Sequence, residues 1–238
     1  MTPNPSDLLV VEDLDKAFTL HLHGGKTLPV VANVAFRIAR GECVVLGGPS
    51  GVGKSSILKI VFGNYRSECG SIRLADGERF LDIARASARE IVDARRRLMG
   101  YVSQFLRVIP RVSTFDIVAA AARDAGLEAS AAKDRASSLL TRLNLPERLW
   151  SLPPATFSGG EQQRVNIARG FAGEHRLLIL DEPTASLDAT NREAVVELIA
   201  ERRAGGVGFL AIFHDDDVRA RVADRVLDVS KFSEREGA

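Results

Sequence analysis

Residues 43–62 read CVVLGGPSGVGKSSILKIVF, and this stretch decides the fold. A short apolar run comes first, a glycine-rich turn follows at residues 48–55, and a pattern typical of an amphipathic helix comes last. The turn matches the G-x-x-x-x-G-K-S pattern, whose backbone amides wrap around phosphate groups. Because an apolar strand precedes the turn and a helix follows it, the stretch predicts a phosphate-binding loop in an α/β protein.

The residue types in this loop indicate how a nucleotide would be held. Its glycines let the backbone approach phosphate oxygens closely, and Lys54 would neutralise the β- and γ-phosphates. Ser55 would offer its hydroxyl to Mg²⁺. The nucleotide-binding residues predicted for the loop are Gly48, Pro49, Ser50, Gly51, Val52, Gly53, Lys54, Ser55 and Ser56.

Alternating patterns along the chain extend this unit into a fold. Apolar runs at residues 177–180 and 207–213 predict further buried strands between helices, which indicates a parallel sheet covered by helices. Period-two segments between residues 8 and 81 predict an antiparallel β lobe, and residues 113–144 carry only helical patterns. We expect an α/β fold: a P-loop (RecA-like) parallel sheet core with an antiparallel β lobe and an inserted α-helical subdomain.

These patterns also suggest how one domain over residues 1–238 is divided. Residues 8–104 and 156–230 would form the nucleotide-binding core and the β lobe, and residues 105–155 would form the helical subdomain. Within the core, TNRE at residues 190–193 has capping-box spacing and predicts a helix that begins near there and stops at the two glycines 205–206.

Composition excludes several classes of protein. The formal net charge of +1 shows no bias towards nucleic acid, and 45% hydrophobic residues with 26% charged ones is ordinary for a globular protein. No apolar run approaches the roughly 20 residues of a membrane-spanning helix, and the first residues carry no basic leader. We therefore expect a cytoplasmic protein with no transmembrane segment of its own, whose two cysteines are reduced.

Candidate catalytic residues follow the predicted strands. Asp181 and Glu182 end the run LLILDE, where a parallel sheet places its ligand crevice. Asp181 would orient Mg²⁺, and Glu182 would take a proton from the attacking water. His214 ends the next run and would lie near the γ-phosphate, while the amide of Gln104 could reach Mg²⁺ or the water.

Two further features have competing explanations. Phe18 could stack on adenine, although a phenylalanine in a period-two segment is as often a core residue. In FSGGEQQRVNIARG (residues 157–170), Ser158 and Glu161 have capping-box spacing and could simply start a helix. That explanation leaves Gly159 and Gly160 unexplained, because glycines weaken a helix but leave its first N–H groups open to an anion. We therefore favour a second anion site in residues 158–161, called the signature segment below.

Taken together, these motifs resemble the ATP-binding-cassette (ABC) ATPases, and the resemblance covers residues 8–229. It implies Mg²⁺-dependent hydrolysis of ATP to ADP and phosphate, with ATP enclosed between two cassettes. Ser158, Gly159, Gly160 and Glu161 would then contact the partner's nucleotide, Asp188 would communicate across the interface, and Glu182 and His214 would match the family's base and phosphate-sensing switch. Small departures are Phe157 for leucine, Glu161 for glutamine and Phe18 for tyrosine.

A narrower resemblance concerns the partners. The stretches SQFLRVIPRVS, LLTRLNLPERLW, TFSGGEQQRVNIARGF and LDEPTASLDA look like the PhnL-type ATP-binding proteins of the bacterial carbon-phosphorus lyase system. This resemblance implies a partner in the carbon-phosphorus lyase complex and a second cassette, in phosphonate catabolism. The alternative is the ATPase subunit of a membrane ABC transporter. A chromosome-maintenance ATPase would need a long coiled coil, which the sequence does not contain.

Overall fold

Two β-sheets form the framework of the computed structural model, which describes residues 4–20, 26–106 and 110–232. The larger sheet has five strands in the order β6-β7-β8-β3-β9, and every neighbouring pair in it is parallel. Its strands are β3 (Cys43–Gly47), β6 (Met99–Val102), β7 (Leu177–Asp181), β8 (Gly208–Ile212) and β9 (Arg225–Asp228). All residues of β7 and β8 are buried, as expected for central strands that helices cover on both faces.

The smaller sheet has four antiparallel strands in the order β2-β1-β4-β5. These strands are β1 (Asp7–Leu20), β2 (Lys26–Ala39), β4 (Cys69–Asp76) and β5 (Arg79–Asp82). They come from the part of the sequence with period-two patterning, and their alternate apolar side chains share one core cluster with β3 and the helix that follows it. The predicted antiparallel lobe is therefore confirmed.

Seven α-helices lie in the described residues, and their order matches the alternation predicted from the sequence. They are α1 (Lys54–Val61), α2 (Ala88–Arg97), α3 (Thr114–Asp124), α4 (Ala129–Arg142), α5 (Gly159–Phe171), α6 (Ala189–Ala204) and α7 (Asp216–Val222). Among the described residues, none of these helices combines the length and the apolar character that crossing a membrane requires.

The inserted helical region consists of α3 and α4, which pack on each other and on α5. Short 3₁₀ turns at Glu147–Leu149 and Pro154–Thr156 connect this region to α5. Phe115 and Trp150 stack within the region at a centroid distance of 6.2 Å. Both helices lie inside residues 105–155, and the proposed division into subdomains stays a prediction.

The start of α6 differs from the sequence-based expectation. The helix begins at Ala189, and its N-cap is Asp188, whose carboxylate accepts a hydrogen bond from the Asn191 N–H at 2.8 Å. Thr190 already lies inside the helix, so the TNRE capping box was wrong. An aspartate in extended conformation two residues earlier is a strong N-cap and complements the helix dipole, so it determines where the helix starts.

Candidate active site

The phosphate-binding loop joins β3 to α1 and curls around the ammonium group of Lys54. This ammonium donates hydrogen bonds to the carbonyls of Gly48 at 2.7 Å and Pro49 at 2.8 Å, and Lys54 is only 9% exposed. Gly53 has φ 101°, and a Cβ there would lie 2.7 Å from the Val31 side chain. Only glycine fits that position, because the loop passes so close to β2.

The remaining residues of the loop lie around this lysine as the sequence predicts. Pro49, Ser50 and Gly51 are exposed, whereas Val52 and Ser56 are half-buried. The loop therefore presents its tip to solvent, while its lysine and the start of α1 are held inside. Such a helix N-terminus, with open backbone N–H groups beside a cation, is suited to bind phosphate.

Asp181, at the end of β7, is held by two hydroxyl groups. The Ser55 hydroxyl donates to Oδ1 at 3.0 Å, and the Tyr101 hydroxyl donates to Oδ2 at 2.9 Å. Asp181 is 4% exposed. Burial raises the pKa of Tyr101, and the negative charge of Asp181 raises it further, so the phenol keeps its proton and remains a donor.

Tyr101 was missed by sequence reasoning. It lies on β6, the parallel neighbour of β7, three residues before Gln104. The sequence signal was a polar-tipped aromatic residue in an otherwise apolar strand that ends beside the predicted ligand crevice.

Glu182 follows directly and is the centre of the predicted catalytic group. The Gln104 side-chain amide donates to its Oε2 at 2.9 Å, and the His214 Nε2 lies 2.6 Å from its Oε1. The Glu182 side chain is 15% exposed and that of His214 is 54% exposed. The structure therefore brings together Glu182, Gln104 and His214, which the sequence placed after three different strands.

The backbone of Glu182 adopts an unusual conformation. Its φ is 53°, in the left-handed region, and its N–H donates to the Ile212 carbonyl at 3.1 Å. A non-glycine residue in such a region carries a strain of about 1–3 kcal/mol, which the surrounding structure must offset. Here the contact with β8 holds the turn, and the turn directs the carboxylate towards Gln104 and His214.

Phe18 lies on β1, and its ring makes an edge contact with Tyr65 at a centroid distance of 5.2 Å. The Lys16 ammonium lies 5.0 Å from the centre of the same ring. Phe18 is half-buried. Adenine stacking on Phe18 stays a prediction.

The signature segment forms the N-terminus of α5 as a complete capping box. The Glu161 carboxylate accepts from the Ser158 hydroxyl at 2.8 Å and from the Ser158 N–H at 2.9 Å, and these bonds lower the pKa of Glu161. Gly159 is exposed with open space around its Cα, whereas a Cβ on Gly160 would lie 3.0 Å from the Ser186 carbonyl. Capping explains the serine and glutamate, and the close approach explains Gly160.

The loop before α6 lies beside the signature segment and is linked to His214. Asp188 caps α6 and is exposed. In α6, the Arg192 guanidinium forms an ion pair with Asp215. Asp215 directly follows His214 and is the N-cap of α7. As the cap, the Asp215 carboxylate accepts hydrogen bonds from the N–H groups of Asp217 at 3.0 Å and Val218 at 3.1 Å. Among the described residues, no cluster of three or more His, Cys, Asp or Glu side chains could hold a metal ion.

The candidate residues thus form two groups. Lys54, Ser55 and Asp181 lie at the phosphate loop with Glu182 next in sequence, whereas no hydrogen bond or ion pair among the described residues joins Ser158 to any of them. A phosphate loop with its acidic strand end, accompanied by a separate exposed helix start, defines the ATP-binding-cassette class of P-loop ATPases.

Comparison with known proteins agrees with this class. A family model described as ABC transporter matches residues 31–185, and the chain belongs to this family. It is an ABC ATPase, an enzyme that hydrolyses ATP to ADP and phosphate. The α/β ABC nucleotide-binding fold and the ATPase activity expected from the sequence are therefore confirmed.

Several relatives cover nearly all of this chain. The lipoprotein-releasing system ATP-binding protein LolD of Hyphomonas neptunium is 40% identical over 92% of this chain and 93% of that protein. The macrolide export ATP-binding/permease protein MacB of Brucella melitensis is 35% identical over 93% of this chain, but that match spans only 33% of MacB. These names refer to lipoprotein release and macrolide export, and they lend no support to the narrower carbon-phosphorus lyase prediction.

A solved structure shares the whole fold. The dimeric structure of a post-hydrolysis state of the ATP-binding cassette MJ0796, bound to ADP and Pi, has a TM-score of 0.84 and 25% identity. The match covers 95% of this chain and 97% of the MJ0796 chain.

Proposed function

We propose that this chain works as one of two cassettes that close on ATP, and that its cycle drives a membrane transporter. The observation that carries the first part is the division of the site described above. Lys54 is enclosed by its own loop, while Ser158, Gly159 and Asp188 are exposed and make no hydrogen bond to that loop among the described residues. The dimeric MJ0796 cassette supports a second cassette as the partner that brings these two groups together.

The catalytic role falls to Glu182. Its carboxylate would take a proton from water as the water oxygen attacks the γ-phosphorus, and the bond to the β,γ-bridging oxygen would break to release ADP. Gln104 and His214 orient this carboxylate from its two sides. Each carboxylate oxygen still has a lone pair for the water, so these contacts do not occupy the base.

Mg²⁺ fits the residues present. The Ser55 hydroxyl and the Asp181 carboxylate converge at 3.0 Å, and hard oxygen donors of this kind are typical of magnesium sites completed by substrate phosphates. Ser55 and Asp181 would hold the ion, with Gln104 as a further candidate. The ion would neutralise charge that develops on the transferred phosphoryl group.

The transporter assignment rests on the relatives and on a groove. LolD is named for a lipoprotein-releasing system and MacB for macrolide export with a permease. By analogy, this chain would work on the cytoplasmic face of a membrane transporter. A groove of about 690 Å³ opens beside Gln104. Its wall has exposed Phe105 and Val92 together with the cations Arg95 and Arg96, which suits an amphipathic segment with acidic residues. We propose that a transporter subunit docks here.

Two variants test the split site. Ser158→Ala should leave ATP binding nearly intact and reduce hydrolysis by more than tenfold, because the contact with the partner's nucleotide is removed. The variant also loses the N-cap of α5, which costs about 0.5–2 kcal/mol of stability but is remote from the chain's own phosphate loop. Glu182→Gln should reduce turnover on the order of 100- to 10,000-fold and should retain an ATP-dependent dimer. Binding would be measured with a fluorescent ATP analogue, turnover by phosphate release, and assembly by light scattering. A large loss of ATP affinity in Ser158→Ala would show that Ser158 acts within its own chain.

A second candidate partner is the carbon-phosphorus lyase complex, because the four stretches quoted above resemble PhnL-type proteins. Affinity capture of Glu182→Gln with ATP and Mg²⁺ from phosphate-starved host cells distinguishes the two partners. Co-purification of a multi-span membrane protein would support the transporter, and co-purification of soluble phosphonate-processing enzymes would replace it with the lyase complex. Capture without ATP is the control, since a partner of the closed state should be enriched only with nucleotide.

A further inference from the structure

Asn166 is a polar residue in the buried face of α5, where the neighbouring positions are apolar. It is 2% exposed, and its side-chain amide donates to the Ser103 carbonyl at 2.6 Å. Asparagine is a poor helix former, and a buried amide is costly unless it is hydrogen-bonded. The bond to Ser103 explains the residue, and Ser103 directly precedes Gln104.

Gln163 makes the equivalent contact one helical turn earlier. It is 3% exposed, and its amide donates to the Pro183 carbonyl at 3.0 Å. Pro183 directly follows Glu182. Gln163 also accepts a longer bond from Asn166 at 3.4 Å, so the two amides form one buried network. Consecutive turns of α5 therefore hold the backbone beside each member of the Gln104–Glu182 pair.

Helix α5 packs closely against β6, the strand that leads to Gln104. A Cβ on Gly170 would lie 2.4 Å from the Val102 side chain, and a Cβ on Gly100 would lie 2.9 Å from the Gly170 carbonyl. Close-packed interfaces of this kind transmit displacements because neighbouring atoms cannot be compressed. Ser158 lies at the N-terminus of the same helix, about 12 Å along its axis from Asn166.

We propose that Asn166 and Gln163 are positioning residues that couple the signature segment to the catalytic pair of the same chain. When the partner's ATP engages Ser158 at one end of α5, the two amides adjust Gln104 and Glu182 near its middle. ATP in one site then sets the geometry of the base in the other. This inference rests on the proposed function, in which Ser158 contacts the partner's nucleotide.

Asn166→Leu tests the coupling, since leucine has a similar volume but cannot donate to Ser103. We expect kcat to fall about 10- to 100-fold, as for a small misplacement of a catalytic group, with the KM for ATP within about twofold of wild type. The Hill coefficient for ATP should fall towards one. Ile167→Val is the matched control, because it perturbs the core of the same helix without touching either amide contact, and its kcat should stay within about twofold.

Two further measurements keep the proposal falsifiable. Gln163→Met removes the contact to Pro183 with little change in shape and should reproduce the loss of kcat if Asn166→Leu fails to fold. In the Ser158→Ala, Asn166→Leu double variant, the fold losses in kcat should not multiply, because both substitutions interrupt the same coupling between Ser158 and the catalytic pair. Multiplying losses, or a normal kcat in both single amide variants, would overturn the coupling. If Ser158→Ala alone has normal turnover, the proposed function fails instead.

Discussion

Acid should destabilise this protein through His175, in the loop between α5 and β7. The His175 Nδ1 is buried and has no hydrogen-bond partner among the described residues. The pKa of His175 is lowered to about 4, mainly by burial and also by the positive charge of Arg202, whereas hydrogen bonds to the backbone of Arg96 and Arg95 oppose the shift. The folded protein therefore holds a neutral imidazole well below pH 6.5.

The sign of the effect follows from proton linkage. Well above pH 6.5 the imidazole is neutral in both states and adds no pH dependence. Between pH 6.5 and about 4, the unfolded chain takes up a proton that folded His175 does not, so the free energy of unfolding falls as pH falls. The linkage relation gives a loss of about 2 kcal/mol between pH 7.5 and 5, and about 3 kcal/mol in full.

Urea unfolding at pH 7.5 and pH 5 measures this loss directly. His175→Phe replaces the imidazole with a ring that does not titrate, and His175→Gln provides a neutral polar control. From pH 7.5 to pH 5, the free energy of unfolding of the wild type should fall by about 2 kcal/mol more than that of either variant. This difference does not depend on how stable each protein is at pH 7.5. Equal losses in all three proteins would show that His175 binds protons equally in both states, and the argument from burial would be wrong.

Two other predictions concern contacts that hold the site. Tyr101→Phe removes the hydrogen-bond donor to Asp181 Oδ2. Because a hydrogen bond to a charged group contributes about 1.5–3 kcal/mol, the Mg²⁺ concentration for half-maximal hydrolysis should rise at least tenfold. An unchanged Mg²⁺ titration would contradict this prediction. Gly170→Ala should cost about 1–3 kcal/mol in urea unfolding through overpacking against Val102, and adding Val102→Ala should restore part of it. An unchanged free energy of unfolding in Gly170→Ala would show that α5 and β6 are not closely packed at this position.

The architecture was predictable because local patterns and the global fold agree. The apolar runs before Gly48 and Asp181 became central strands of the parallel sheet, and the period-two segments became the antiparallel lobe. The start of α6 was not predicted correctly, since two overlapping caps were available and the sequence pattern alone did not rank Asp188 above Thr190. Boundaries depend on such local competition, whereas strand burial depends on many residues at once.

The sequence singled out candidate site residues that carry charge or belong to a motif, but not the residues that contact them. Tyr101, Gln163 and Asn166 contact residues distant in sequence, and nothing local marks a buried amide as a partner of a backbone carbonyl. The pairing of Arg192 with Asp215 was missed for the same reason. Such contacts need the fold, because only packing shows which carbonyls would otherwise stay unsatisfied.

The degree of burial gives a physical reason for the second cassette in the proposed function. Glu182 is oriented by Gln104 and His214, yet the His214 side chain is 54% exposed, so the site is open to water. In water such contacts are weak, and they strengthen when the surrounding dielectric falls. A partner cassette that places its own Ser158 over the nucleotide would exclude water from this pair as it adds donors. On the proposed function, the Glu182 carboxylate is therefore already oriented in one chain, and closure would supply the environment in which that orientation becomes effective.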